Sequence, residues 1–150
     1  MIKLNYPEYP FKIKKHDDKE LIFDGVRKKW VTLTPEEWVR QNMLQYLIRV
    51  KKYPVSLVAV EKGIKLGELV KRCDIVIYNS QGAPLIIIEC KAMDVNLNTD
   101  TAEQIMRYNL SLPAAYLIIT NGVYCIGFKR NEKDLEAIKE IPGWKDLSKM

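Results

Sequence analysis

From Val55 to Phe128 the apolar residues come in short runs broken by turn-forming residues, which is the pattern of strands rather than of long helices. Val55 to Val60, Cys73 to Tyr78, Leu85 to Lys91, Ala115 to Thr120 and Val123 to Phe128 are the predicted strands. Lys62-Gly63 to Gly67 reads as a loop or bulged turn, Asn79 to Pro84 as a turn, and Asn121-Gly122 as a type I′ hairpin connection. Thr34-Pro35-Glu36-Glu37 opens a helix, with Thr34 as N-cap, Pro35 at the first helical position and Glu37 completing a capping box. That helix is expected to reach about Lys51, before Tyr53-Pro54. Trp38, Leu44, Leu47 and Ile48 supply most of its buried stripe, and Arg40, Arg49, Lys51 and Lys52 lie on its outer side or end. Asn98-Thr99-Asp100 caps a second helix running to about Leu112, stopped by Pro113, and Glu132 to Glu140 predicts a short surface helix.

Ahead of these elements, Leu21-Ile22-Phe23 and Trp30-Val31 flank Asp24-Gly25, a hairpin dipeptide, so residues 21–33 read as a β-ribbon. Residues 1–20 are rich in Pro, Tyr and Lys without clear periodicity and read as an extended arm packed by its aromatics. The order αβββαββ over residues 34–128, with a C-terminal helix and tail over 129–150, makes an α/β class: a central mixed sheet flanked by helices in one domain. No repeat or Gly/Ser linker divides its 150 residues.

Composition narrows the class. At 47% hydrophobic and 29% charged, the chain is neither disordered nor fibrous. Its longest apolar run, Pro84 to Ile88, is far short of the roughly 20 residues that span a bilayer. The polar start Met1-Ile2-Lys3-Leu4-Asn5 is unlike a secretion signal, and three cysteines without an export signal fit reduced thiols in a cytoplasmic compartment. Net charge is +5, and it is uneven: residues 1–72 carry 16 Lys/Arg against 9 Asp/Glu, residues 73–150 carry 8 against 10. Such an imbalance fits a polyanion-binding face beside a carboxylate site, and equally an ordinary solvated surface.

The chemistry concentrates in Asp74-Ile-Val-Ile-Tyr78 and Leu85-Ile-Ile-Ile-Glu89-Cys-Lys91, where charged residues sit inside an apolar strand pair. Strand alternation puts Glu89 and Lys91 on one face and Cys90 on the other. If the turn is centred on Gln81-Gly82, the numbers of opposed residues total 163, so Asp74 faces Glu89. Directly opposed residues have Cβ atoms about 4.5–5.5 Å apart, near enough to share a cation and destabilising without one. Mg²⁺ commonly takes one or two carboxylates plus waters and substrate phosphate, and Lys91 stands ready for a water or a phosphate. The structural alternative is an edge hairpin with an ordinary Glu–Lys pair and Asp74 capping a turn.

Asp74 followed by Glu89-Cys90-Lys91 resembles the D…(D/E)XK signature of the PD-(D/E)XK nuclease superfamily. Gln104-Ile-Met-Arg-Tyr108 is similar to the QxxxY element of several of its branches. Thr34-Pro-Glu-Glu37-Trp-Val-Arg40-Gln41, Glu89-Cys-Lys-Ala92 and Thr120-Asn-Gly122 together resemble the N-terminal nuclease domain of type I restriction enzyme R subunits, over roughly residues 20–128. The resemblance implies a restriction-endonuclease-like core and a Mg²⁺- (or Mn²⁺-) dependent DNA endonuclease. It implies Asp74 and Glu89 as metal-binding acids, the Cys90 carbonyl as a backbone ligand, Lys91 as the catalytic lysine, and Gln104 and Tyr108 facing the site or the bound strand. Glu37 matches an acid that some members aim at the metal; the capping box is the other use of the same residue. Tyr108 equally fits the buried stripe with Ile105 and Leu112. The chain departs from the family in having Cys73 before Asp74, and no G-x-x-x-x-G-K-[ST] occurs, so an ATP site of that type is absent. Partners implied are DNA and either the motor or recognition subunits of a restriction complex or a second copy of this chain.

Lys71-Arg72 is the better candidate for holding the substrate backbone and Arg107 a weaker one; Arg27-Lys28-Lys29 and Lys12 to Lys19 could also contact phosphates, although solvated loops would look the same. Tyr6, Tyr9, Phe11 and Trp30 could stack bases, although packing of the arm explains them as well. The cysteines lack C-x-x-C spacing and the single His16 lies in the unpatterned arm, which argues against zinc. Two other functions compete: a non-catalytic nucleic-acid-binding or assembly module on the nuclease fold, and a structural subunit that docks a motor or recognition partner.

Overall fold

The computed structural model describes residues 1–108, 110–132 and 134–148, without the side chains of residues 101, 105, 106 and 108. Seven strands form one mixed sheet and three more form a small antiparallel sheet beside it. In the large sheet, β5 (Val58–Leu66), β6 (Leu69–Tyr78) and β7 (Pro84–Cys90) make an antiparallel meander. β8 (Tyr116–Thr120) lies parallel to β7 and is reached through helix α2 (Thr99–Tyr108). β9 (Tyr124–Asn131) returns antiparallel to β8, and its far edge is shared by β1 (Ile2–Lys3) and β10 (Asp134–Ala137). The small sheet has the order β2 (Ile13–His16), β3 (Lys19–Asp24), β4 (Lys29–Thr32).

Helix α1 (Pro35–Arg49) covers one face of the large sheet. Val39, Met43, Leu44 and Leu47 pack there on Ile75, Ile77, Ile86 and Ile88. Thr34 caps it as expected, its hydroxyl accepting from the Glu37 N–H at 3.0 Å, a bond worth about 1 kcal/mol. On the other face Ala102 of α2 joins Val76, Ile87, Leu112, Leu117 and Ile119. The strands between are apolar on both sides because both sides are covered. No described helix is long and apolar enough to cross a membrane.

Several expectations are corrected. The N-terminal arm is not wholly irregular: β1 edges the large sheet and β2 turns the ribbon into a three-stranded sheet. Tyr6, Tyr9 and Phe11 do pack, in a chain of tilted and edge-on rings from Tyr46 to Trp38. Residues 62–66 are not a loop; β5 runs through them and pairs with β6 to Leu66–Leu69, so Lys71 and Arg72 lie within a strand. The second helix ends at Tyr108, not near Leu112. Residues 134–137 form a strand where a helix was expected, because pairing on the open edge of β9 overrides their helix propensity. A short helix α3 (Trp144–Leu147) follows Gly143 instead. Asn121-Gly122 is not type I′, which needs positive φ at both residues; only Gly122 has it, at 88°. In α1 the buried stripe is shifted: Trp38 and Ile48 are half-buried, while Glu37, Arg40, Gln41 and Asn42 are buried.

Gly127 is a close-packing position. A Cβ there would lie 2.7 Å from Ile138 Cδ1, 2.9 Å from Ile138 Cγ1 and 3.2 Å from Ile118 Cγ1. Gly127→Ala is expected to cost about 1–3 kcal/mol in a urea titration, the usual range for overpacking. Ile138→Val, which lacks the colliding Cδ1, should recover part of the loss in the double variant; an additive loss would contradict the close approach.

Candidate functional site

The β6–β7 register follows the hairpin arithmetic for three pairs: Ile75–Ile88, Val76–Ile87 and Ile77–Ile86. It shifts at the turn, where Tyr78 meets Pro84. At the other end the pairing stops at Ile75–Ile88, and the expected face-to-face placement of Asp74 and Glu89 is not what the chain adopts. Opposite Asp74 on β5, Glu61 has φ of 51°, a step missing from the otherwise regular pairs Val60–Ile75 and Lys62–Cys73. Asp74 turns toward α1. Its Oδ2 accepts from the Cys90 N–H at 2.8 Å, and its Oδ1 lies 3.8 Å from Arg40 Nη1. Glu89 alternates with Cys90, which packs on the α1 side, and so takes the α2 side with Ile87. The two carboxylates therefore flank the end of the strand pair instead of facing each other across it.

On the α1 side Asp74 joins a network that the amphipathic pattern did not foretell. Arg40 is buried, not outward, and donates from Nε to Glu37 Oε2 at 2.8 Å and from Nη2 to Glu37 Oε1. Arg27 Nη2 reaches Glu37 Oε1 at 3.1 Å, and Gln41 Nε2 reaches Glu37 Oε2 at 3.2 Å. Arg27 Nε and Gln41 Nε2 also donate to Asp24 Oδ2, at 2.6 and 2.9 Å. Glu61 completes the set, 3.3 Å from Arg40 and 3.4 Å from Arg27. Burial opposes ionisation of Glu37, but the hydrogen bonds and charge of Arg40 outweigh it, so its pKa falls. Asp24 is lowered likewise: burial opposes ionisation, and the backbone and side-chain bonds from Arg27 outweigh it. Of the two uses foreseen for Glu37, only its N–H takes part in capping, and its carboxylate serves the guanidinium groups. Arg27, Glu37, Arg40, Glu61 and Asp74 line a cleft of about 830 Å³ that also takes in Trp30, Cys90 and Ala92.

On the α2 side Glu89 is buried enough to raise its pKa to about 7, first by desolvation and then by the charge of Asp74; Lys71 and Lys91 pull the other way. Its Oε1 is buried without a hydrogen-bond partner. Lys71, expected on the substrate backbone, thus approaches Glu89 from β6. The segment after Glu89 is clamped by Thr120 and Asn121: Lys91 N–H donates to the Thr120 carbonyl at 2.8 Å, and Asn121 Nδ2 to the Val95 carbonyl at 2.9 Å. Gln104 and Arg107 are exposed on α2, while the side chain of Tyr108 lies outside the described residues. Arg72, Lys28 and Lys29 are exposed, and Lys29 lines the cleft. Among the described residues no group of three or more His, Cys, Asp or Glu side chains is arranged to hold a metal. Asp74 and Glu89 each offer oxygen donors of the kind hard cations take, and Glu89 Oε1 has no hydrogen-bond partner.

The Glu89 shift has a testable sign. The unfolded chain ionises Glu89 near 4.5 and the folded chain near 7, so the folded state holds the extra proton between these values. Stability contributed by protonated Glu89 is lost as pH rises through this window, by about 3 kcal/mol at the upper limit. Without divalent metal, Glu89→Gln should gain stability relative to the wild type between about pH 5 and about pH 8 in denaturant titrations. Parallel pH profiles for the two proteins would contradict it.

Residues 35–142 match the family model described as the type I restriction enzyme R protein N terminus. A comparison with curated proteins finds no match. Among solved structures, a fragment assigned as an HsdR subunit of a type I restriction enzyme from Vibrio vulnificus YJ016 superposes with a TM-score of 0.55 at 15% identity. The superposition covers 78% of this chain and 25% of that one, so the chain spans about a quarter of that neighbour's length. At this identity the likeness speaks for the fold, a mixed sheet with few helices. The match over residues 35–142, which includes Glu37, Arg40, Asp74, Glu89 and Lys91, makes this chain a member of the type I restriction enzyme R protein N-terminal family.

Proposed function

We propose that the chain is a metal-dependent DNA endonuclease of the restriction R-subunit type, with Asp74, Glu89 and Lys91 at its centre. The observation that carries this reading is Glu89: a half-buried carboxylate with a buried, unpartnered oxygen, next to a second acid and approached by two lysines. A group of that kind is costly to keep unless a cation or a proton completes it. Asp74, Glu89 and the Cys90 carbonyl would hold Mg²⁺ or Mn²⁺, which supplies Lewis-acid polarisation of a phosphodiester. Lys91, fixed by its backbone bond to Thr120, would orient the attacking water and offset charge on the non-bridging phosphate oxygens. Gln104 and Tyr108 on α2, which covers the Glu89 face, would contact the scissile strand; Lys71, Arg72, Arg107, Lys28 and Lys29 would hold flanking phosphates. Arg40 and Arg27 keep Glu37 and Asp24 ionised and set the position of Asp74. The neighbour's greater length favours a setting with motor or recognition subunits, with a homodimer as the other arrangement, in the cytoplasm.

One observation favours a second reading, a non-catalytic binding or assembly module: Asp74 is already engaged by the Cys90 N–H and Arg40. Cleavage of plasmid and single-stranded DNA with and without Mg²⁺ or Mn²⁺ decides between them. Metal-dependent cutting, reduced at least about a hundredfold by Asp74→Ala and by Lys91→Ala, is expected. Wild-type silence on both substrates with both metals, alone and with restriction-complex subunits added, would favour the binding module.

A further inference from the structure

The outward face of the small sheet combines cations and aromatic rings without an acid. The register puts Ile13, Ile22 and Val31 in one row and Asp24 opposite Lys29, and Ile22 and Asp24 are fully buried, so that face looks inward. Alternation then turns Lys14, Lys19, Leu21, Phe23, Trp30 and Thr32 outward, with Lys12 beside them. Glu20 shares the inward parity, and the other nearby acids, Asp17 and Asp18, lie in the β2–β3 turn, where Asp17 pairs with His16. Phe23 and Trp30 meet edge to face at 5.4 Å. Lys14 Nζ sits 4.2 Å from the Trp30 ring centre and Lys12 Nζ 5.8 Å from that of Phe23. Both rings are partly exposed, and an ammonium group lies over each.

The track has two ends. Leu21, Trp30 and Thr32 line the cleft that holds Asp74. Phe23 and Lys12 line a separate groove of about 220 Å³ with Tyr9, Phe11 and Arg49. We infer that the outer face of β2–β4 is a docking platform for single-stranded DNA, leading a strand from the Phe23 groove over Trp30 toward the Asp74 cleft. Bases stack on Trp30 and Phe23, displacing Lys14 and Lys12 onto the phosphates. Stacking of unpaired bases on exposed rings within a cationic surface is the usual chemistry of single-strand recognition, whereas duplex hides its base faces. Charge complementarity favours this occupant over a protein helix or an acidic peptide, which would leave the ring faces without a planar partner.

This inference rests on the nucleic-acid part of the proposed function but not on cleavage, so it is tested in EDTA. Fluorescence anisotropy of a labelled thymidine oligonucleotide is followed with wild type, Trp30→Leu, Phe23→Leu, Lys12→Gln/Lys14→Gln, and Lys139→Gln as a control outside this sheet. Each aromatic change should weaken binding about 5- to 150-fold, the range for removing one base stack. The double lysine change should flatten the logarithmic salt dependence by about 0.7 for each phosphate no longer neutralised. Far-UV circular dichroism identifies any variant that fails to fold, and the exposed lysine variants carry the test in that case. Affinity unchanged by the Trp30 and lysine variants, or duplex bound as tightly as single strand, overturns the platform. If the platform variants lose binding while the wild type cuts no DNA with metal, the platform stands and the nuclease reading falls. Cutting with unaltered binding in the variants gives the reverse.

Discussion

The buried guanidinium of Arg40 is the interaction on which the site depends. Through Glu37, Glu61 and Asp74 it links α1, β5 and β6, and through Glu37 it is joined to Arg27 and Asp24 of the small sheet. Among the described residues no strand pairs the two sheets, so this ionic cluster, together with the buried Ile22, sets how β4 walls the cleft. Buried charges of this kind persist only as a complete set, because removing one partner leaves the others uncompensated at a cost of about 3–5 kcal/mol. The cleft is therefore constrained as a unit: a change at one member of the cluster leaves the others without their partner.

That constraint produces an asymmetry across the sheet. On the α1 side Asp24, Glu37, Glu61 and Asp74 each have a guanidinium, an amide or an N–H. On the α2 side Glu89 keeps an oxygen unpaired. Both sides meet at the C-terminal end of β7, where the parallel neighbour β8 also ends and supplies Thr120. In open α/β sheets ligands gather at such carboxyl ends, because there the loops leave the sheet and backbone groups become free to turn. Here the crossover through α2 makes β7 and β8 point the same way, and the antiparallel strands around them close the rest of the sheet.

Much of this was legible in the chain. The isoleucine runs and the Gln81-Gly82 turn fixed the register of Ile75 to Ile77, and Thr34-Pro35 marked the start of α1. What escaped has specific causes. Hydrophobic periodicity counts an arginine as solvent-facing, so it assigned Arg40 outward; the signal that could have corrected it was the Glu37-x-x-Arg40-Gln41 spacing, a polar face too regular to be surface. The left-handed Glu61 breaks the alternation at Asp74, and no residue type announces such a step outside Gly, Asn and Asp. The last strand was hidden because Asp134 to Ala137 favour helix locally, and only the open edge of β9, set by residues far away in sequence, draws them into a sheet. Gln104 and Tyr108 were placed on a helix correctly, and α2 covers the Glu89 face through Ala102.

The three cysteines, Cys73, Cys90 and Cys125, are all free and fully buried within the two cores. Burial pushes the thiols of Cys73 and Cys125 up to about 11 and about 12, and that of Cys90 well above its ordinary value. As thiolates are the reactive form, the folded chain presents no nucleophilic sulfur to solvent. A cysteine introduced at an exposed position would therefore be the sole attachment point for a maleimide dye or a spin label, and native Cys90, between Glu89 and Lys91, would need no removal. The same inertness makes thiol labelling a clock for unfolding: the natural sulfurs react only when the sheet between the two helices opens.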